Sequence, residues 1–141
     1  MNSTISPQIG TSHHIPILLD PIVDFLIAGM ENLPADAPAG VIVDCTLGGG
    51  GHTARILEKL QSKPSLLKHC VLGLDQDPDA IARNHQKFAK EIESKLLEVH
   101  HSSFSDALKH VAGRPIYALM ADLGISSDQI DSETRGFSFR F

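Results

Sequence analysis

The chain has 141 residues, 42% apolar and 21% charged, enough for one buried core and too few for two domains. Twelve basic against 17 acidic residues give a formal charge of −5, which argues against a surface built mainly to grip phosphate backbones. Two cysteines exclude a disulfide scaffold. With no apolar run of about 18 residues and no basic-then-apolar start, the expectation is a soluble, cytoplasmic chain without membrane span or secretory signal.

Residues 1–12 are polar and read as a flexible lead-in. Residues 1–40 contain Asp20, Asp24, Glu31 and Asp36 and no Lys or Arg, so the opening is acidic while the rest is close to neutral. Asp20-Pro21 predicts a capped helix start, with Ile22, Phe25 and Leu26 on its apolar face and Gly29 as its stop. Residues 31–40 read as a loop. Val41-Ile42-Val43-Asp44-Cys45 is a short β-branched run, followed by Gly48-Gly49-Gly50-Gly51 and then by apolar residues at helical spacing over 52–60. Strand, glycine turn and helix make the opening half of a βαβ unit. Val71-Leu72-Gly73-Leu74 predicts a second strand ending at Asp75. Asp77-Pro78 repeats the cap-plus-proline device and starts a helix with Ile81, His85, Phe88 and Ile92 on one stripe. Residues 96–99 form a third strand, 101–105 a turn, 107–111 a short helix and 116–121 a fourth strand ending at Asp122.

Alternating strands and helices predict an α/β fold, a doubly wound parallel sheet with helices on both faces. The fourth strand is apolar on both faces, which suits a central strand, yet nothing after it in the chain could cover its far side. Phe137, Phe139 and Phe141 crowd the last five residues. The expectation is a chain that stops partway through a larger domain.

Ligands in such sheets bind beyond the carboxyl ends of the strands. The glycine turn lies there, and the amides opening the helix at His52 suit an anionic group. A dinucleotide fingerprint fails because its third glycine is Thr53, and a phosphate-binding loop fails because Thr46 and His52 replace its first glycine and its lysine. Asp75 stands 24 residues past Gly51, the spacing at which an acid takes the two hydroxyls of a ribose. Phe104 is a candidate to lie against an adenine ring, with ordinary core packing as the alternative. Asp122, at the end of a strand expected beside the first, could accept a hydrogen bond from an amino group. The paired histidines His13-His14 and His100-His101 lack metal-ligand spacing, so no metal is expected. Cys45 and Cys70 belong about 13–16 Å apart along neighbouring strands, too far to bridge.

Seven segments together resemble the bacterial and organellar 16S ribosomal RNA cytosine-N4 methyltransferases of the MraW type. They are His14-Ile-Pro-Ile-Leu-Leu-Asp20, Asp44-Cys-Thr-Leu-Gly-Gly-Gly-Gly-His52-Thr53, Gly73-Leu-Asp75-Gln-Asp77-Pro-Asp-Ala80, Phe104-Ser105, Asp122-Leu-Gly-Ile-Ser-Ser127, Gln129-Ile-Asp131 and Arg135-Gly-Phe-Ser-Phe-Arg140. The acid-x-Thr46-x-Gly48-x-Gly50 opening is similar to the acid-x-G-x-G-x-G of S-adenosylmethionine-dependent methyltransferases. The resemblance implies a Rossmann-like fold of that class and S-adenosyl-L-methionine as methyl donor. By position, Gly50, Gly51 and His52 would contact it, Asp75 would hold its ribose, Phe104 and Asp122 would flank the adenine side, and Gln129 would close the pocket. The acceptor would be the exocyclic amine of a cytidine in small-subunit ribosomal RNA, free or in the 30S subunit. Asp128 stands where the family often has Pro, and Gly49 where it often has Arg. Residues 13–141 would then be the N-terminal part of the methyltransferase domain, without the later strands and helical substrate domain that family members carry. Two other readings are a truncated chain that catalyses nothing, and a nucleotide-binding oxidoreductase, which Thr53 disfavours.

Overall fold

The computed structural model describes residues 18–123. Four parallel strands, β1 (Val41–Asp44), β2 (Cys70–Asp75), β3 (Leu97–His101) and β4 (Ile116–Met120), form one sheet in the order β3-β2-β1-β4. β1 is paired on both sides, Asp44 standing opposite Gly73 of β2 and Met120 of β4, and all four of its side chains are buried. That explains a run that is apolar without alternation. The order reverses beside β1, so the crevice beyond its carboxyl end is the topological switch point of the sheet.

One face of the sheet is covered by α1 (Leu19–Glu31), α2 (Gly51–Gln61) and α3 (Pro78–Lys87). There Val23, Ile27, Ile56, Leu60 and Phe88 close over Ile42, Val71 and Leu97. The other face carries the short helix α5 (Ala107–Val111), which packs Ala107 and Val111 on Val41, Val43, Leu72 and Leu74. Each fully buried Val, Leu or Ile side chain contributes about 1.5–3 kcal/mol.

The acidic opening has a structural use. Asp20 and Asp24 on α1 pair with Arg55 and Lys59 of α2, and Glu31 with Lys63 just beyond the end of α2. This corrects the expected helix start. Asp20 does not cap: its carboxylate accepts from Arg55 Nε at 2.8 Å, while Leu18 occupies the N-cap position in the left-handed region without a side-chain bond. Gly29 does not stop the helix either, because Met30 beyond it is buried and extends the apolar face. The helix ends at Glu31, where Asn32 Nδ2 donates to the Ala28 carbonyl.

The Asp77 cap is present, accepting from Asp79 N–H at 3.0 Å. The helix after it differs from the expected stripe. His85 is exposed and Asn84 is buried in its place. Phe88 leaves helical geometry (φ −112°, ψ 29°), so the expected single helix becomes α3 and a separate turn, α4 (Ala89–Glu93). Both cysteines are free. At the foot of β1, buried His69 accepts the Gly40 N–H on Nδ1 at 3.1 Å and meets the Tyr117 ring edge-on. Among the described residues no helix is long and apolar enough to cross a membrane.

Candidate functional site

The glycine bend is built by contacts on both of its sides. Gly48 and Gly50 adopt positive φ (+50° and +75°), a region open to glycine at no steric cost. A Cβ at Gly50 would stand 2.3 Å from Asn84 Oδ1 and 2.7 Å from the Phe88 ring, so α3 leaves no room for a side chain there. Asn84 Nδ2 donates to the Gly48 carbonyl at 2.7 Å, and Lys87 Nζ to the Gly49 carbonyl at 2.9 Å. With those carbonyls drawn to α3, the helix opening at Gly51 and His52 presents amides that no helical turn can satisfy. His52 is buried and its Nε2 has no hydrogen-bond partner among the described residues.

Asp75, at the end of β2, is joined directly to this bend. Its Oδ2 accepts the Gly48 N–H at 2.7 Å and its Oδ1 the Asp77 N–H at 2.8 Å. The bend and the acid therefore face one crevice. A carboxylate offers about four acceptor sites. Two are used here to fix its plane, which leaves two for a pair of hydroxyls.

Beneath the bend lies Asp44, 1% exposed. Its Oδ1 accepts the Thr46 N–H at 3.1 Å and its Oδ2 the Thr53 hydroxyl at 2.8 Å. Burial pushes its carboxyl above the ordinary carboxylate range, and these two donors act against that shift. Thr46 and Thr53 stand in two slots where glycine patterns expect glycine, and both are tied to the same acid. On the β4 side, the Thr46 hydroxyl accepts the Asp122 N–H at 2.7 Å, which brings Asp122 to the rim with an exposed side chain.

Phe104 opens a 3-10 turn (Phe104–Asp106) after β3 and is 51% exposed, so it is not a core residue. Its loop is drawn toward Asp75: Ser102 N–H donates to the Asp75 carbonyl at 2.9 Å and Gln76 Nε2 to Ser103 Oγ at 3.3 Å. The structure thus brings Gly50, Gly51, His52, Asp75 and Asp122 to the carboxyl edge of neighbouring strands, with Phe104 on the loop beyond Asp75. Gln129 lies outside the described residues, as do the Gly-Phe-Ser-Phe segment and Asp128. Sequence reasoning missed Asn84 and Lys87. A polar residue at an inward position of α3 was the available signal for the first. Among the described residues no group of three or more His, Cys, Asp or Glu could hold a metal ion.

Comparison with known proteins matches residues 11–141 to the model of the MraW methylase family. Curated relatives described as ribosomal RNA small subunit methyltransferase H include one from Cupriavidus metallidurans, 39% identical over all of this chain and 38% of its own length. One from Oenococcus oeni is 43% identical over 82% of this chain and 36% of its own, and one from a Synechococcus species is 41% identical over 90% and 37%. The chain thus spans a little over a third of the length of these relatives. A solved rRNA methylase from Streptococcus thermophilus overlays with a TM-score of 0.49 at 20% identity, covering 74% of this chain and 54% of that one, a likeness too slight to bear on the site. A family match through all but the first ten residues, a span that includes the glycine bend and the strand-end acid of the crevice, makes this chain a member of the MraW methylase family.

Proposed function

We propose that the chain forms the cofactor-binding portion of an S-adenosyl-L-methionine-dependent methyltransferase that modifies the exocyclic N4 of a cytidine in small-subunit ribosomal RNA, in the cytoplasm. The observation that carries this reading is the 2.7 Å bond from Gly48 N–H to Asp75 Oδ2, which puts an amide-rich bend and a strand-end acid on one crevice. The residues present fit such a nucleoside. Asp75 keeps free acceptor sites for the ribose hydroxyls, and the amides of Gly51 and His52 are open to a carboxylate. His52 Nε2, buried without a hydrogen-bond partner among the described residues, suits a polar group of the cofactor, and the exposed Phe104 ring suits a base face. Gln129 would close the pocket.

When bound, S-adenosylmethionine supplies an activated methyl on a sulfonium centre. A cytosine amine is a poor nucleophile because its lone pair is delocalised into the ring, so the protein's part is alignment, worth several orders of magnitude when geometry is held. Asp122, exposed at the rim, accepts hydrogen bonds from an amino group on the adenine or on the target base. No general base is assigned. The target must leave its stack to reach a crevice of this kind.

Titration of the purified chain with S-adenosylmethionine and with NAD tests the reading. Saturable binding of the first alone supports it. Tight binding of NAD would reject it in favour of an oxidoreductase.

A further inference from the structure

Two threonines and a buried acid link three elements beneath the crevice. Thr53, on the first turn of α2 and wholly buried, donates to Asp44 Oδ2. Asp44, at the end of β1, accepts the Thr46 N–H on Oδ1, and the Thr46 hydroxyl accepts the N–H of Asp122 beyond β4. The end of β4 is otherwise fastened to β1 by ladder bonds that stop at Cys45 N–H to the Met120 carbonyl, at 2.9 Å. Past that point Ala121, Asp122 and Leu123 are exposed and belong to no strand. The Thr46 hydroxyl therefore makes the one side-chain bond, among the described residues, between the bend and the Asp122 backbone.

We propose that Thr46 is a positioning residue that holds Asp122 in register with the glycine bend, so that the β1 and β4 flanks of the crevice act as one unit. The inference rests on the cofactor reading above for its binding consequence, but not for its structural one. Valine has the shape of threonine without the acceptor, so Thr46→Val gives the exposed Asp122 N–H over to water and unties it from the bend. Serine keeps the acceptor. A merely structural threonine would be replaced by valine at no cost to Asp122, and its effect would add to that of removing the Asp122 carboxylate.

The test has two parts. In the unmodified chain, hydrogen exchange at the Asp122 amide is expected to be slowed relative to the neighbouring Leu123 amide. An Asp122 amide exchanging as fast as an unstructured one overturns the proposal whatever the ligand. In the second part, S-adenosylmethionine affinity is measured by calorimetry for the unmodified chain, Thr46→Val, Thr46→Ser, Asp122→Ala and the Thr46→Val/Asp122→Ala pair. Thr46→Val is expected to weaken binding about five- to tenfold, the scale of one hydrogen bond. Thr46→Ser should restore it, and Thr46→Val should add nothing on the Asp122→Ala background. Additive losses, or a Thr46→Ser variant as weak as Thr46→Val, overturn the positioning role. No binding to the unmodified chain, with a protected Asp122 amide, overturns the cofactor reading and leaves the Thr46 bond standing.

Discussion

Asp75 is asked to do two things at once, and Asp75→Asn separates them. The carboxylate accepts two backbone N–H groups, from Gly48 on one oxygen and Asp77 on the other. An asparagine has one acceptor oxygen, so at least one of those donors must face an NH2 group. Hydrogen bonds to a charged acceptor are worth about 1.5–3 kcal/mol each, so losing one and weakening the other should cost about 2–3 kcal/mol of stability. For a domain of this size that corresponds to a fall of about 6–12 °C in Tm, read by circular dichroism or scanning calorimetry. Cofactor affinity should fall separately, because the amide also lacks the acceptor sites that two ribose hydroxyls need. The loss is about ten- to a hundredfold in Kd, measured well below the Tm of the variant. An unchanged Tm would refute the structural bonds. A lowered Tm with an unchanged Kd would reduce Asp75 to a fastener of the bend and remove the main support for the ribose assignment.

Gly50→Ala should destabilise the fold by about 2–4 kcal/mol in urea unfolding, from its positive φ and the overlap with Asn84 and Phe88, while Gly49→Ala, whose Cβ meets open space, should stay within about 0.5 kcal/mol. Phe104→Ala should weaken S-adenosylmethionine binding by about 1–3 kcal/mol in calorimetry, the scale of a base stacked on a ring, and leave Tm unmoved because the side chain is half exposed. His69 is held neutral: burial first, then the nearby Lys68, lower its pKa below 6.5, and its Nδ1 accepts the Gly40 N–H, a bond that needs the unprotonated ring nitrogen. A histidine that protonates less readily folded than unfolded makes the unfolded state the stronger proton binder. Stability is therefore full above about pH 6.5 and declines as pH falls toward the lowered native value. His69→Asn should flatten that decline in Tm measured against pH, and parallel curves would refute the assignment.

The order of elements was legible because each rests on local chemistry. The β-branched run 41–43 became β1 and the apolar run 71–74 became β2, and Asp77 caps its helix where proline follows it. The place of Asp75 at a strand end past the glycine turn was legible as well, but its bond to the Gly48 N–H was not, because nothing local sets which backbone donor its carboxylate meets. What failed at the sequence level was decided by contacts between distant segments. Asp20 has the identity and neighbour of a cap, yet Arg55, 35 residues on, is a charged partner within reach. His85 fits the helical period as well as Asn84 does. Only the Gly48 carbonyl, 36 residues back, explains why the amide points inward and the imidazole outward. Thr46 and Thr53 looked like departures from a glycine pattern. Their reason is Asp44, buried between them, and a buried acid can be recognised only once the strand around it is known to be central.

The two flanks of the crevice are held very differently. On the β2 side the Asp75 carboxylate, Asn84 and Lys87 all bond to Gly48 or Gly49, and Asp75 is fixed in turn by the Asp77 N–H. On the β4 side one threonine hydroxyl holds the Asp122 backbone, and the strand leading there exposes Ile116 and Leu119 along an edge that pairs with no other described strand. If the β2 side meets the proposed nucleoside, preformed donors and acceptors there avoid the penalty of ordering them at binding. The other side would then receive a base drawn out of a folded RNA, where the approach is larger and the partner has to be manoeuvred. On the proposed reading, the asymmetry divides the work: Asp75 and the glycines define where the methyl is presented, and the Thr46–Asp122 contact holds the flank where cofactor and acceptor amine meet. Changes at Asn84 or Asp75 should then appear in cofactor affinity and not in the handling of the RNA, and changes at the Thr46–Asp122 contact in both.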